Sequence, residues 1–227
     1  MLVIAVIGYA AAFAGFSVGA AASFFTSKLG KRFQGSLLGF TGGILIAFIC
    51  FEIIPNAFQA LDGGLVTGIF GIAAGVAFCA LGENLIRPRG GSGLMLVLAA
   101  VVHNFPEGVA LGALLSISFP AGVKLAAVIA VHCLPEAVAI FASMKRKRRV
   151  YMFLLPAAMG LGTFAGAALS GISPAVLCLS LGFSGGVMLY VTCGDVLPEA
   201  KTRWKGRFSS IFACLGFIAG VLLTAFL

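Results

Sequence analysis

The sequence predicts an all-α integral membrane protein with eight transmembrane helices, and three observations lead there. Apolar residues make up 61% of the 227-residue chain and charged residues only 10%, where about 25% charged is ordinary for a soluble domain. That much apolar surface cannot be hidden in a compact soluble protein of this size, so lipid is the solvent. The apolar residues also fall into eight runs, each of the roughly 20 residues that cross the hydrocarbon core. Finally, the 15 Lys and Arg against 7 Asp and Glu are distributed unevenly between alternate connections.

In chain order the spans are predicted at 2–26, 36–58, 64–86, 94–116, 122–143, 150–170, 175–199 and 208–227. Turn or charge signals divide them at Lys28–Arg32, Asp62–Gly64, Arg87–Gly93, Ser118–Gly122, Lys145–Arg149, Gly171–Pro174 and Lys201–Arg207. The first Lys is Lys28, so the N-terminal run lacks a basic leader and reads as a first span rather than a cleaved signal. A membrane barrel would alternate polar and apolar residues, and these runs do not. The spans leave no room for a soluble domain. The chain is expected to be one transmembrane domain, with a first repeat over 1–86, central helices over 94–143 and a second repeat over 150–227.

The connections after spans 1, 3, 5 and 7 hold every basic residue except Lys124. By the positive-inside rule these four are cytoplasmic and both termini lie outside, in the plasma (inner) membrane. The excess charge is therefore a topology signal, and no nucleic acid is implied. Six cysteines (50, 79, 133, 178, 193 and 214) all sit in apolar runs without a CxxC pair, which argues against a disulfide framework.

Residues 39–57, GFTGGILIAFICFEIIPNA, recur at an offset of 143 as GFSGGVMLYVTCGDVLPEA over 182–200. Gly39/Gly182, Gly43/Gly186, Cys50/Cys193, Pro55/Pro198 and the acids Glu52/Asp195 fall in register. GIAAGV at 71–76 matches GFIAGV at 216–221 more weakly. An odd number of crossings separates the partners, so the two units are expected to be inverted, a transporter signature with its substrate site near the midplane. Glycines spaced by four in seven spans are expected to let helix backbones approach closely.

Spans 4 and 5 carry VHNFPEGVA at 102–110 and VHCLPEAVA at 131–139. Each stacks a His and a Glu at i and i+4 on one helix face, His103 with Glu107 and His132 with Glu136. Each has a proline at i+3 that cannot donate to the preceding turn. An ionised carboxylate at this depth costs about 2.5–3.5 kcal/mol. Two such pairs, using both histidines of the chain, suit a divalent cation whose charge offsets the two acids; a hydrogen-bonded His–Glu network is the plainer alternative. Asn104 and Cys133 follow the histidines and could face the pathway, with Cys133 equally readable as a packing residue. Glu52, toward the outer end of span 2, and Asp195, toward the inner end of span 7, suit a cation entrance and exit. Glu83, Glu199 and Asp62 read as solvated.

At HNFPEG and HCLPEA the chain resembles the ZIP (Zrt/Irt-like) family of divalent-metal transporters, and the resemblance extends over all eight spans. It implies a 3+2+3 arrangement and import of zinc, iron or related divalent ions into the cytosol. It also implies His103, Asn104, Glu107, His132 and Glu136 as metal-site positions. Three departures stand out: Cys133 replaces the more usual acid or Asn, span 6 has no acid, and the short 87–93 connection has no His. They favour one four-ligand site of His103, Glu107, His132 and Glu136 over a binuclear centre. No resident cofactor is expected, only a transiently bound cargo ion, zinc first and then iron, cadmium or manganese. The expected partners are the lipid bilayer and divalent metal ions, with homodimer formation left open. An intramembrane metallohydrolase using the same ligands is the alternative, although the chain has no H-E-x-x-H.

Overall fold

The computed structural model describes residues 1–26, 29–143, 148–169, 173–204 and 207–226, with backbone alone at 26, 84–95, 143, 148 and 149. Among them every regular element is helical: α1 Leu2–Thr26, α2 Lys31–Phe48, α3 Ile54–Gln59, α4 Leu65–Ile117, α5 Phe119–Ser143, α6 Arg148–Ala168, α7 Pro174–Val191, α8 Leu197–Arg203 and α9 Arg207–Phe226. Eight segments are long and apolar enough to span a membrane, including Lys31–Gln59, Pro174–Arg203 and the two arms of α4, Leu65–Glu83 and Leu96–Ile117. The protein is an integral membrane protein. Its outward surface is apolar, with Val3, Phe25, Phe70, Leu81 and Ile218 exposed, while its polar side chains His103, Asn104, Glu107, Thr163 and Ser184 are buried. This inverts the usual soluble arrangement, as lipid requires.

Spans 2 and 7 begin or end several residues beyond their predicted limits, because apolarity marks the hydrocarbon depth while the helix continues into the headgroup region. The predicted turn at Asp62–Gly64 is present, and Gly63 adopts φ +69°, a left-handed conformation that glycine accepts at little cost. The break after span 4 shrinks to extended Ser118, and α5 begins at Phe119 with Pro120 in its first turn. The larger departure is α4, whose helical segment is uninterrupted across the predicted break Arg87–Gly93. A straight helix of 53 residues would be about 80 Å long. Yet Gly182 lies against Gly68 and Gly71, while Ser184, two residues on, hydrogen-bonds His103 and Glu107. α7 therefore touches both arms, so the chain reverses direction between Gly71 and His103, the stretch that holds the predicted break, while the local backbone stays helical. The side chains of Arg87 and Arg89, Lys28, Lys205 and the basic run Lys145–Arg149 expected to anchor topology lie outside the described side chains.

Four parallel helix pairs pack closely through glycine. Gly39 and Gly43 of α2 face Ser209 and Ala213 of α9, and Gly216 and Gly220 return the contact to Phe40 and Ala47. Gly182 and Gly186 of α7 meet the first arm of α4, which answers with Gly71 and Gly75. Gly108 and Gly112 of the second arm interlock with Gly162 and Gly166 of α6, and Gly15 and Gly19 of α1 seat on Ala130 and Leu134 of α5. A Cβ at Gly71 would stand 2.6 Å from the Leu179 carbonyl oxygen, so no larger residue fits without moving a helix. Close approach replaces the hydrophobic driving force that lipid removes. In each pair the residue numbers rise together, so the partners run parallel, as spans separated by an even number of crossings must.

Spans 2 and 7 are each interrupted by five π-helical residues, Ile49–Ile53 and Thr192–Val196. Pro55 and Pro198 follow, one at the start of each resumed α-helix. A proline cannot donate to the carbonyl four residues back and its ring crowds it, and a π-turn absorbs the displaced backbone.

Candidate metal centre

α5 and the second arm of α4 are antiparallel neighbours, so the helix order His-then-Glu in one is met by Glu-then-His in the other. The result is cross-pairing: His103 Nε2 lies 3.3 Å from Glu136 Oε1, and His132 Nε2 lies 3.1 Å from Glu107 Oε2. All four residues are buried. The i, i+4 pairs predicted within each helix thus share a face, but each histidine meets the other helix's acid.

The surroundings fix how these groups are presented. His103 Nδ1 is 2.8 Å from the carbonyl oxygen of Ala99. A carbonyl only accepts, so Nδ1 carries the proton, and in the neutral ring Nε2 presents a lone pair toward Glu136. The Ser184 hydroxyl of α7 lies 3.0 Å from Glu107 Oε1 and 3.3 Å from the His103 carbonyl oxygen, and can donate its single proton to one at a time. Phe48, at the end of α2, tilts against the His132 ring at 6.0 Å between centroids. Spans 2 and 7 thus both touch the central pair of helices at the site.

His103 Nε2, His132 Nε2, Glu107 Oε2 and both Glu136 oxygens are buried, and their close polar neighbours are one another, across the two His–Glu contacts. Two chemistries satisfy such a set: imidazole Nε2–H groups donating to the facing carboxylates, or a divalent cation held by the nitrogen and carboxylate lone pairs. His132, Cys133 and Glu136 are the group, among the described residues, whose ligand atoms all fall within 4.8 Å of one another. Cys133 is fully buried there, with its Cβ also against Gly15. Asn104 is buried with neither amide atom hydrogen-bonded.

Two small cavities flank the centre. One, of about 30 Å³, touches Glu107 and His132 and is lined also by Glu52 and Asn56. It shares Glu52, Asn56 and Leu181 with a wide vestibule of about 510 Å³ that reaches Gln59 and Lys124. The other, of about 20 Å³, touches His103 and Glu136 and is otherwise apolar except for Thr192. Glu52 therefore stands where the vestibule narrows toward the site, its Oε1 accepting from Asn56 Nδ2 at 2.9 Å. Asp195 is buried in its π-helical segment between Thr192 and Val196, which line the smaller cavity, but does not line it itself.

Ser184 and Phe48 are the site residues that sequence reasoning missed. Ser184 had a signal, since it is aligned with Thr41 in the repeated GF[TS]GG motif; the hydroxyl is retained across the repeat. Two acids read as solvated have partners instead. Glu83 pairs with the Tyr190 hydroxyl of α7, and Glu199 accepts from Arg203 Nε at 2.8 Å. Glu83 lies beside a helix that composition alone could not place there, whereas Arg203 is one turn on from Glu199 in α8 itself.

Buried, cross-paired His and Glu inside a membrane bundle are groups able to hold a metal ion, and comparison with known proteins gives the class to which the bundle belongs. A profile of the family described as "ZIP Zinc transporter" matches residues 82–227, and the chain belongs to that family. Similar proteins include a zinc transporter ZupT of Akkermansia muciniphila, 27% identical over 92% of this chain and 90% of its own length. The zinc transporter GufA of Myxococcus xanthus is 26% identical over 87% of this chain and 89% of its own. The zinc transporter ZIPB of Bordetella bronchiseptica is 27% identical over 98% and 80% respectively.

Proposed function

We propose that this protein moves a divalent metal cation, zinc first among them, across the membrane into the cytosol through the centre formed by His103, Glu107, His132 and Glu136, with Asn104 and Cys133 beside it. The observation that carries this reading is the facing set of buried nitrogen and carboxylate lone pairs. The family membership and the relatives named as zinc transporters support the choice of cargo. Nothing among the described residues favours the metallohydrolase alternative.

In this reading the end bearing Arg203 is cytoplasmic and both termini are outside, so the vestibule beside Lys124 faces outward. A cation enters past Glu52, exchanges water for His and Glu ligands, and leaves toward the Arg203 end with Asp195 nearby. The equivalent π-helical segments at an offset of 143 support an inverted repeat. So does the recurrence of packing, α2 on α9 and α7 on the first arm of α4. Alternating access then arises as the repeat helices shift against the central pair. Ligands that also bind protons let the ion go again.

The test is uptake of radioactive zinc into proteoliposomes. His103→Ala and Glu136→Ala are each expected to lower uptake by more than tenfold, in line with the roughly 10–100-fold cost of even outer-shell changes at metal sites. Parent-like uptake by both variants would remove the site assignment while leaving the family intact.

A further inference from the structure

At the end of the bundle opposite the vestibule, a groove of about 520 Å³ opens between α2 and α9. Its walls are Phe33, Leu37, Phe40, Trp204 and Phe212, and its polar members are Arg32 and Ser36. The Ser36 hydroxyl is committed to the Arg32 carbonyl oxygen at 3.1 Å, which leaves the Arg32 guanidinium as the polar group free to meet an occupant. No acidic residue lines the groove, and among the described residues Arg32 forms no ion pair. Lys31, Lys201 and Arg207, all exposed, belong to the neighbouring helix ends.

Trp204 is held in position rather than loosely exposed. It follows α8 with extended backbone, φ −134° and ψ 95°. Its ring stacks on Phe208 at 4.8 Å with an interplanar angle of 2°. Its Cβ also packs toward Gly35 of α2. An indole at a span end, an apolar trough leading away from it and an unneutralised guanidinium at the rim are complementary to one ligand chemistry. The trough suits an acyl chain and the guanidinium a phosphodiester.

We infer that this groove is a binding site for an anionic phospholipid, whose headgroup meets Arg32 and whose chain lies along Phe33, Leu37, Phe40 and Phe212. Charge complementarity selects the headgroup, because a zwitterionic lipid brings its own cation toward a rim that is already positive. The site lies on the back of the helix ends joined by Arg203, since the residue before Trp204 reaches Gln34 of α2. The inference does not depend on what the metal centre transports.

Trp204 is the only tryptophan in the chain, so its fluorescence reports on this groove alone. The experiment titrates the full-length protein in detergent with phosphatidylglycerol or phosphatidylcholine carrying brominated acyl chains, which quench indole on contact. Half-maximal quenching is expected at about fivefold less phosphatidylglycerol than phosphatidylcholine, the preference that one basic side chain near an anionic headgroup supplies. Arg32→Gln should bring the two midpoints together, and so should high salt acting on the parent protein, a measurement that needs no variant. Equal quenching by both lipids in the parent would mean ordinary surrounding lipid and overturn the site. A preference that survives in Arg32→Gln would also overturn it.

Discussion

Among the described residues, the hydroxyl of Ser184 gives α7 its hydrogen bond to a carboxylate of the candidate centre. Removing it leaves Glu107 free to rotate and leaves a buried oxygen without its donor, at a cost of about 1–3 kcal/mol. On the proposed function, Ser184→Ala should weaken zinc binding by roughly 10–100-fold, read by isothermal titration of the purified protein. Ser184→Thr, which keeps the hydroxyl, should recover most of the affinity. Unchanged affinity in the alanine variant would mean that Glu107 is oriented by its histidine alone. That the four His and Glu side chains would converge was legible in the sequence, because paired ionisable residues in the middle of apolar runs have few structural uses. Their cross-pairing was implicit in the antiparallel order of spans 4 and 5. The role of Ser184 was not, since it depends on a contact across 77 positions of sequence that no local pattern encodes.

Helices in this protein are held by backbone proximity, so single glycines carry disproportionate weight. A side chain at Gly75 would run into the carbonyl of Phe183. Gly75→Val is expected to lower stability by at least about 1–3 kcal/mol, seen as an earlier thermal transition in detergent. Gly30→Ala, with nothing within 4 Å of the added methyl, should leave the transition where it is. The spans were readable because hydrocarbon imposes a length and a composition on each of them. What composition could not show is where helical backbone continues beyond the apolar run, as at Lys31. The π-helical segments were equally hidden, although Pro55 and Pro198 marked where the α-helical ladder would fail.

At the scale of the whole molecule, the two ends of the bundle differ. One carries the vestibule open toward Glu52. At the other the guanidinium of Arg203 joins three spans, donating to Glu199 at 2.8 Å, to Gln34 of α2 at 2.9 Å and to the carbonyl of Ala142 in α5 at 2.8 Å. If transport alternates between ends, this clamp must open for release. Arg203→Ala should therefore speed labelling of a cysteine introduced at Val196, beside the smaller cavity, by a membrane-impermeant thiol reagent applied from the Arg203 end. An unchanged labelling rate would show that the apolar packing closes this end without help. Two cavities flank the candidate centre. At about 30 and 20 Å³, each has room for one or two waters, given that one needs roughly 10–15 Å³. On the proposed function, an ion crossing between them sheds nearly all of its hydration shell, and the charge of the two glutamates compensates that loss. Magnesium, which gives up water reluctantly, would then be turned away by the work of dehydration before any ligand preference is consulted.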